Sequence, residues 1–97
     1  MSRPVRFRPQ AEAEVLEARS WYEERRQGLG AEFGAAVDGL VGRIADNPLA
    51  FPRARGDIRR ATLHRFPYAL YFRVSGSEAI VLAVHGRQHP RRWQSRA

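Results

Sequence analysis

Ninety-seven residues, 43% of them hydrophobic and ten aromatic, suffice for one packed core and exclude a second domain or a disordered chain, so residues 1–97 are read as a single domain. The absence of cysteine excludes disulfides and thiolate metal sites and points to a cytoplasmic protein. All seventeen basic residues are arginine and the net charge is +7, but residues 1–50 hold seven Arg against eight acids whereas residues 51–97 hold ten Arg against two, so the second half needs an anionic partner, either nucleic acid or an acidic protein surface.

The opening MSRPVRFRPQ lacks the continuous apolar stretch of a signal peptide or membrane span, and no membrane association is expected. Within it Val5 and Phe7 alternate with Arg6 and Arg8, the period of a short strand with one buried face. Pro9 ends that strand and suits the first turn of a helix. Ala11, Val15, Ala18 and Tyr22 then form one helical stripe, with Glu12, Glu14, Glu17 and Arg19 away from it. QGLG at 27–30 breaks the helix, and a second stripe runs through Leu29, Phe33, Val37, Leu40 and Ile44 until NPLAFP. Gly34, Gly39 and Gly42 lie inside this second helix at about 1 kcal/mol each relative to Ala, so packing must hold it, two of them permitting close contact. A polar link at 52–57 precedes three strand-like runs, IRRATLH, YALYFRV and AIVLAVH, the last two flanking the tight hairpin SGSE. The last run is apolar on both faces, as a central strand covered on one side by helices would be. The expected class is α+β with order β-α-α-β-β-β, a helical hairpin packed on a mostly antiparallel four-stranded sheet.

With that order in place, RFRPQAEAEVLEARSWYEERRQGLGAEF, IADNPLAFP, RRATLHRFPYALYFRV and HGRQHPRRW together resemble the RelE/ParE superfamily of type II toxins, and its ParE-like branch most nearly. The likeness runs from about residue 5 to 93. It implies a toxin neutralised by a cognate antitoxin in a hetero-oligomer, and one of two targets: ribosome-bound mRNA, which RelE-like members cleave, or DNA gyrase, which ParE-like members poison. No cofactor is implied.

Cleavage by 2′-hydroxyl attack needs a proton acceptor, a proton donor and cations on the phosphate. RelE-like nucleases place an arginine directly after the tyrosine of the middle strand, where PYALY here has Ala69 after Tyr68. Their C-terminal tyrosine is matched most nearly by Trp93, whose indole stacks but does not exchange a proton usefully. Arg87 matches a third family cation. A rebuilt endoribonuclease site would draw on His64, His85, Arg87 and His89, against the ordinary expectation that His64 and His85 are partly exposed, hydrogen-bonded strand ends. Gly86 and Pro90 forbid the helix that a zinc-like His85/His89 spacing would need, so no metal is expected.

The favoured reading is a non-enzymatic gyrase poison. Its binding residues are expected to be Arg59, Arg60, Arg65, Arg87, Arg91, Arg92 and Trp93, with Trp93 packed so that Arg87, Arg91 and Arg92 form a fixed guanidinium clamp. The antitoxin should then carry an acidic segment. Trp21, one step off its stripe, is expected to be exposed and available to a partner. The remaining alternative is a non-toxic basic module that holds nucleic-acid phosphates.

Overall fold

The computed structural model describes residues 3–86. Strand β1 (Val5–Phe7) leads directly into helix α1 (Pro9–Arg25), whose first position is the expected proline. Helix α2 (Leu29–Asp46) follows, then a 3₁₀ turn at Pro48–Ala50 and strands β2 (Arg53–Arg55), β3 (Ile58–Thr62), β4 (Tyr68–Ser75) and β5 (Glu78–Gly86). They form one sheet of order β1-β5-β4-β3-β2, parallel only between β1 and β5.

Among the described residues the sheet has five strands, not four. Residues 53–55, within the segment read as a polar link, pair antiparallel with β3 and make the far edge. Three residues are too few to display a period of two, and their flanking Pro52 and Gly56 carry the signature of a loop. Short, charged edge strands of this kind discourage pairing with another chain.

Both helices lie on one face of the sheet. Ala11, Ala18 and Tyr22 of α1 and Phe33, Val37, Leu40 and Ile44 of α2 are buried against Ala61, Leu70, Phe72, Val81 and Val84, so the two stripes read from the sequence are the two packed faces. The opposite, helix-free face holds a second buried cluster of Ile58, Ala69, Tyr71, Leu82 and Ala83. Strand β5 serves both clusters through a bulge: its register with β4 passes from Tyr71↔Ala83 to Phe72↔Val81, leaving Leu82 without a partner across the ladder. The extra residue sends Leu82 and Ala83 to one face and Val81 and Val84 to the other.

The hairpin between the helices is set by Glu23 and two glycines. Gly28 takes φ +89, a left-handed conformation that L side chains rarely adopt. Its N–H and that of Gly30 donate to the Glu23 carboxylate at 3.0 Å, so a side chain of α1 satisfies the exposed donors at the start of α2. Gly30 also fits where nothing larger can, because a Cβ there would sit 2.7 Å from the Arg19 carbonyl oxygen. Of the three glycines expected inside α2, Gly34 lies against the Arg19 guanidinium, whereas Gly39 and Gly42 face open space.

Two measurements follow from these contacts. Gly30→Ala is expected to lower stability by about 1–3 kcal/mol through the forced shift of α1, whereas Gly42→Ala should raise it by about 0.5–1 kcal/mol through helix propensity alone; urea denaturation distinguishes the two. The hydrogen bonds from Gly28 and then Gly30 hold the Glu23 carboxyl below its usual range. A lowered carboxylate contributes stability that is complete above its unfolded value and is lost as pH falls through the folded one. Acid melts below pH 4.5 should therefore show a steeper loss for the natural chain than for Glu23→Gln.

Candidate functional site

Among the described residues, no strand pairs with β5 on its β1 side beyond Phe7. The parallel ladder there is made by Ala79 N–H donating to Pro4 O (3.0 Å) and Arg8 N–H donating to Val81 O (3.0 Å). The next inward N–H, that of Val84, donates instead to Glu14 Oε1 of α1 at 2.8 Å. The other carboxylate oxygen, Oε2, stands 3.3 Å from His85 Nδ1, with side-chain exposures of 10% for Glu14 and 2% for His85. A helix side chain thus supplies the rung that β1 is too short to provide, and its second carboxylate oxygen lies beside a buried imidazole.

This corrects two expectations. His85 is not a partly exposed strand end but a buried residue. Glu14, placed away from the helical stripe, is turned into the protein, because its side chain reaches the open edge of β5 and not the flat of the sheet. What signals it is that, among the described residues, no strand lies next to residues 82–86 on that edge, and that is a property of the topology.

The register places Ala69 directly opposite His85, on the helix-free face. On the same face Arg60 lies opposite Tyr71, while Arg6 and Arg73 both lie opposite Ile80. Arg6 donates to Glu78 Oε1 at 2.7 Å and Arg73 approaches Asp57 at 4.0 Å. Arg6 and Arg73 were not singled out in the sequence; register alone aligns them with Arg60.

The other expected residues are dispersed. Arg59 faces the opposite side and donates to Phe51 O at 2.7 Å, tying β3 to the turn before β2. His64 and Arg65 are exposed on the β3–β4 loop. Arg65 donates to Glu32 Oε1 at 2.8 Å in an exposed pair, and that hydrogen bond, with a weaker one from Arg26, holds the Glu32 carboxyl below its usual range. Arg87, His89, Arg91, Arg92 and Trp93 lie outside the described residues.

Tyr22 packs against Phe33, Phe66 and Tyr68 with ring centroids 4.9–6.1 Å apart, joining both helices to the β3–β4 loop and β4. Burial, and then Tyr68, push the Tyr22 hydroxyl above its usual range. Trp21 meets the edge of Tyr22 at 5.0 Å yet stays 47% exposed, with the Arg25 guanidinium 3.9 Å above its ring. Its position off the stripe is the reason. Among the described residues no three His, Cys, Asp or Glu are grouped to hold a metal ion, and no helix is long and apolar enough to cross a membrane.

Residues 5–90 match the model of the ParE toxin of the type II toxin-antitoxin system parDE. The chain belongs to the ParE toxin family. A chain from the chromosomal ParDE toxin-antitoxin system of P. aeruginosa superposes with a TM-score of 0.78 at 18% identity, covering 88% of this chain and 96% of that one. A chain of the RelBE2 toxin-antitoxin complex of Mycobacterium tuberculosis gives 0.64 at 18% identity, covering 90% and 100%. A double arginine-to-alanine mutant of the E. coli toxin RelE in its free state gives 0.69 at 19%, covering 100% and 95%. These likenesses show the fold. No curated protein matches the sequence.

In this ParE-family toxin the end of β5 is closed by the Glu14 carboxylate. Glu14→Ala would strand a buried N–H and remove the partner of a buried imidazole. The expected loss is about 3 kcal/mol, read from denaturant unfolding. A change within 0.5 kcal/mol, the ordinary range for surface positions, would mean that Glu14 is not a rung of the sheet.

Proposed function

We propose that this ParE-family toxin acts in the cytoplasm by binding DNA gyrase without catalysing a reaction, and that an antitoxin bearing an acidic segment silences it in a hetero-oligomer. The observation that carries the reading is the pair Ala69 and His85. Where RelE-like nucleases carry an arginine after the strand tyrosine, this chain has a methyl group at 4% exposure, and the imidazole opposite is itself buried at 3%. A general base must come within hydrogen-bond reach of the proton it takes, and a buried imidazole facing a carboxylate is poorly placed for that. His64 is accessible on the β3–β4 loop, but it is a single exposed imidazole without a described partner group that would make it a base.

The anion-binding elements in this reading are Arg60 on the helix-free face together with Arg87, Arg91 and Arg92, which follow β5 in the chain. Guanidinium forks suit the carboxylates of an acidic antitoxin and the phosphates of a gyrase–DNA complex alike. Trp93 and the exposed Trp21 supply apolar contact area beside charge, the combination that dominates binding energy at interfaces. The complexes from which the ParDE and RelBE2 neighbours come support an antitoxin as the partner.

One observation favours a second reading. The contact of Glu14 with His85 has the form of an oriented acid–base pair, the arrangement that an endoribonuclease rebuilt from His64, His85, Arg87 and His89 would use. Pulse-labelling after induction of the chain alone in a bacterial host separates the two readings. Early loss of DNA synthesis with protein synthesis intact is expected, and it should be relieved by Arg91→Ala with Arg92→Ala. Early loss of protein synthesis that disappears in His85→Ala would overturn the gyrase reading in favour of mRNA cleavage. Salt-sensitive binding to plain duplex DNA without any growth arrest would point instead to a non-toxic phosphate-binding module.

A further inference from the structure

The helical hairpin carries an apolar groove between α1 and α2. Phe7, Val15, Leu16 and Val37 line a hollow of about 430 Å³, and the exposed Glu12 and Asp38 complete its lining. Leu16 is the most exposed large apolar side chain among the described residues, at 62%. A single exposed leucine is ordinary, but one that borders an apolar hollow extends it into a patch that a partner can cover. Charge along this face is split by the leucine. Glu12 lies one turn before it, beside Asp38, and Arg19 lies about one turn after it, with its guanidinium against Gly34 of α2. None of Glu12, Arg19 and Asp38 forms an ion pair among the described residues.

We propose that this groove is a self-association surface: a second copy of the chain packs its α1 antiparallel to the first about a two-fold axis at Leu16, each Leu16 entering the other's groove. At 1.5 Å of rise per residue, Glu12 lies about 6 Å to one side of Leu16 along the helix and Arg19 about 4.5 Å to the other. A two-fold axis across two antiparallel helices reverses their direction and keeps their sides. Arg19 of each copy therefore comes level with Glu12 and Asp38 of the other, and the contact is closed and isologous. A ligand of one charge sign meets repulsion at one end of this groove, whereas a second copy offers the opposite sign at both. That polarity sets aside an acidic antitoxin segment as the occupant. The wider charge distribution agrees: residues 1–50 hold seven Arg against eight acids, so the helical layers meet with little net repulsion, and the arginine excess lies in residues 51–97, whose strands belong to the other layer. Two copies joined in this way present two basic layers outward, which makes the pair bivalent toward an anionic partner. The proposal is independent of whether the toxin's target is gyrase or mRNA.

Sedimentation equilibrium of the full chain tests it. A contact made by one helix and the groove beside it falls below the roughly 1,200 Å² of a standard interface, so half-dissociation is expected at about 10–100 µM. Leu16→Glu changes an exposed side chain and should melt with the natural chain, yet weaken association by about a hundredfold by placing a charge in an apolar contact. Glu12→Arg and Arg19→Glu should each weaken it by at least about tenfold, because two attractions become two repulsions. Mixed in equal amounts, those two variants should associate near the natural affinity, since opposite charges meet again at positions 12 and 19 on both sides of the axis. Melting temperatures confirm that each variant is folded.

A natural chain that stays monomeric at about 1 mM would overturn the proposal. So would a dimer that Leu16→Glu and both charge reversals leave intact, which would place the contact on another face. Two weakened variants whose mixture stays monomeric would overturn the antiparallel two-fold arrangement. Loss of antitoxin binding in Leu16→Glu, with the natural chain monomeric, would assign the groove to the antitoxin instead.

Discussion

The completion of β5 by Glu14 is the constraint on which the rest of the arrangement depends. This strand has Val81, Leu82, Ala83 and Val84 all buried, so it cannot leave a backbone donor open to water on either edge. Strand β1 covers only the first part of its outer edge, because Pro9 follows two residues after Phe7 and cannot donate to a ladder. The chain therefore turns into α1 early, and α1 must run close enough to the uncovered edge for a glutamate to reach Val84. That requirement fixes the helix against the strand, and the tight crossing at Gly30 then fixes α2 against α1.

Four carboxylates of this arginine-rich chain hold the fold together. Glu14 bonds a strand, Glu23 the start of a helix, Glu32 two arginines and Glu78 the Arg6 guanidinium. Residues 51–97 hold ten arginines against Asp57 and Glu78, so these contacts leave that half with a large excess of positive charge. The β3–β4 loop shows the same economy: Phe66 enters the aromatic cluster around Tyr22 and Phe33, and Arg65 pairs with Glu32, so a loop and two helices are locked by one apolar and one ionic contact.

Most of the fold was legible because its signals are local. Alternation at Val5 to Arg8, the two helical stripes, the Gly76–Ser77 turn and the doubly apolar β5 each follow from a period or a turn residue within a few positions. Strand β2 was not legible, since pairing across Gly56 leaves no mark in three residues. The candidate site was less legible for the same reason. The exposure of Trp21 follows from its place on the helical wheel, but the roles of Glu14 and Arg59 follow from which strand edge or turn each one meets. Those are contacts across about seventy residues for Glu14 and eight for Arg59. Register likewise aligns Arg6, Arg60 and Arg73, which no spacing in the chain connects.

The proposed action has a physical corollary for neutralisation. An enzyme can be silenced by blocking a small pocket, whereas a poison that works by affinity must lose its contact surface. Arginines on three strands share a rigid pleated face, with Arg6 on β1, Arg60 on β3 and Arg73 on β4, and such spacing favours an extended ligand over a small anion. An acidic segment lying across these strands would compete with the target for Arg60, the residue of this face in the proposed contact set. Each contact of that kind is weak at an exposed surface. Neutralisation on these terms depends on many contacts made together by one chain, which orders itself as it binds and gains area in exchange for lost entropy.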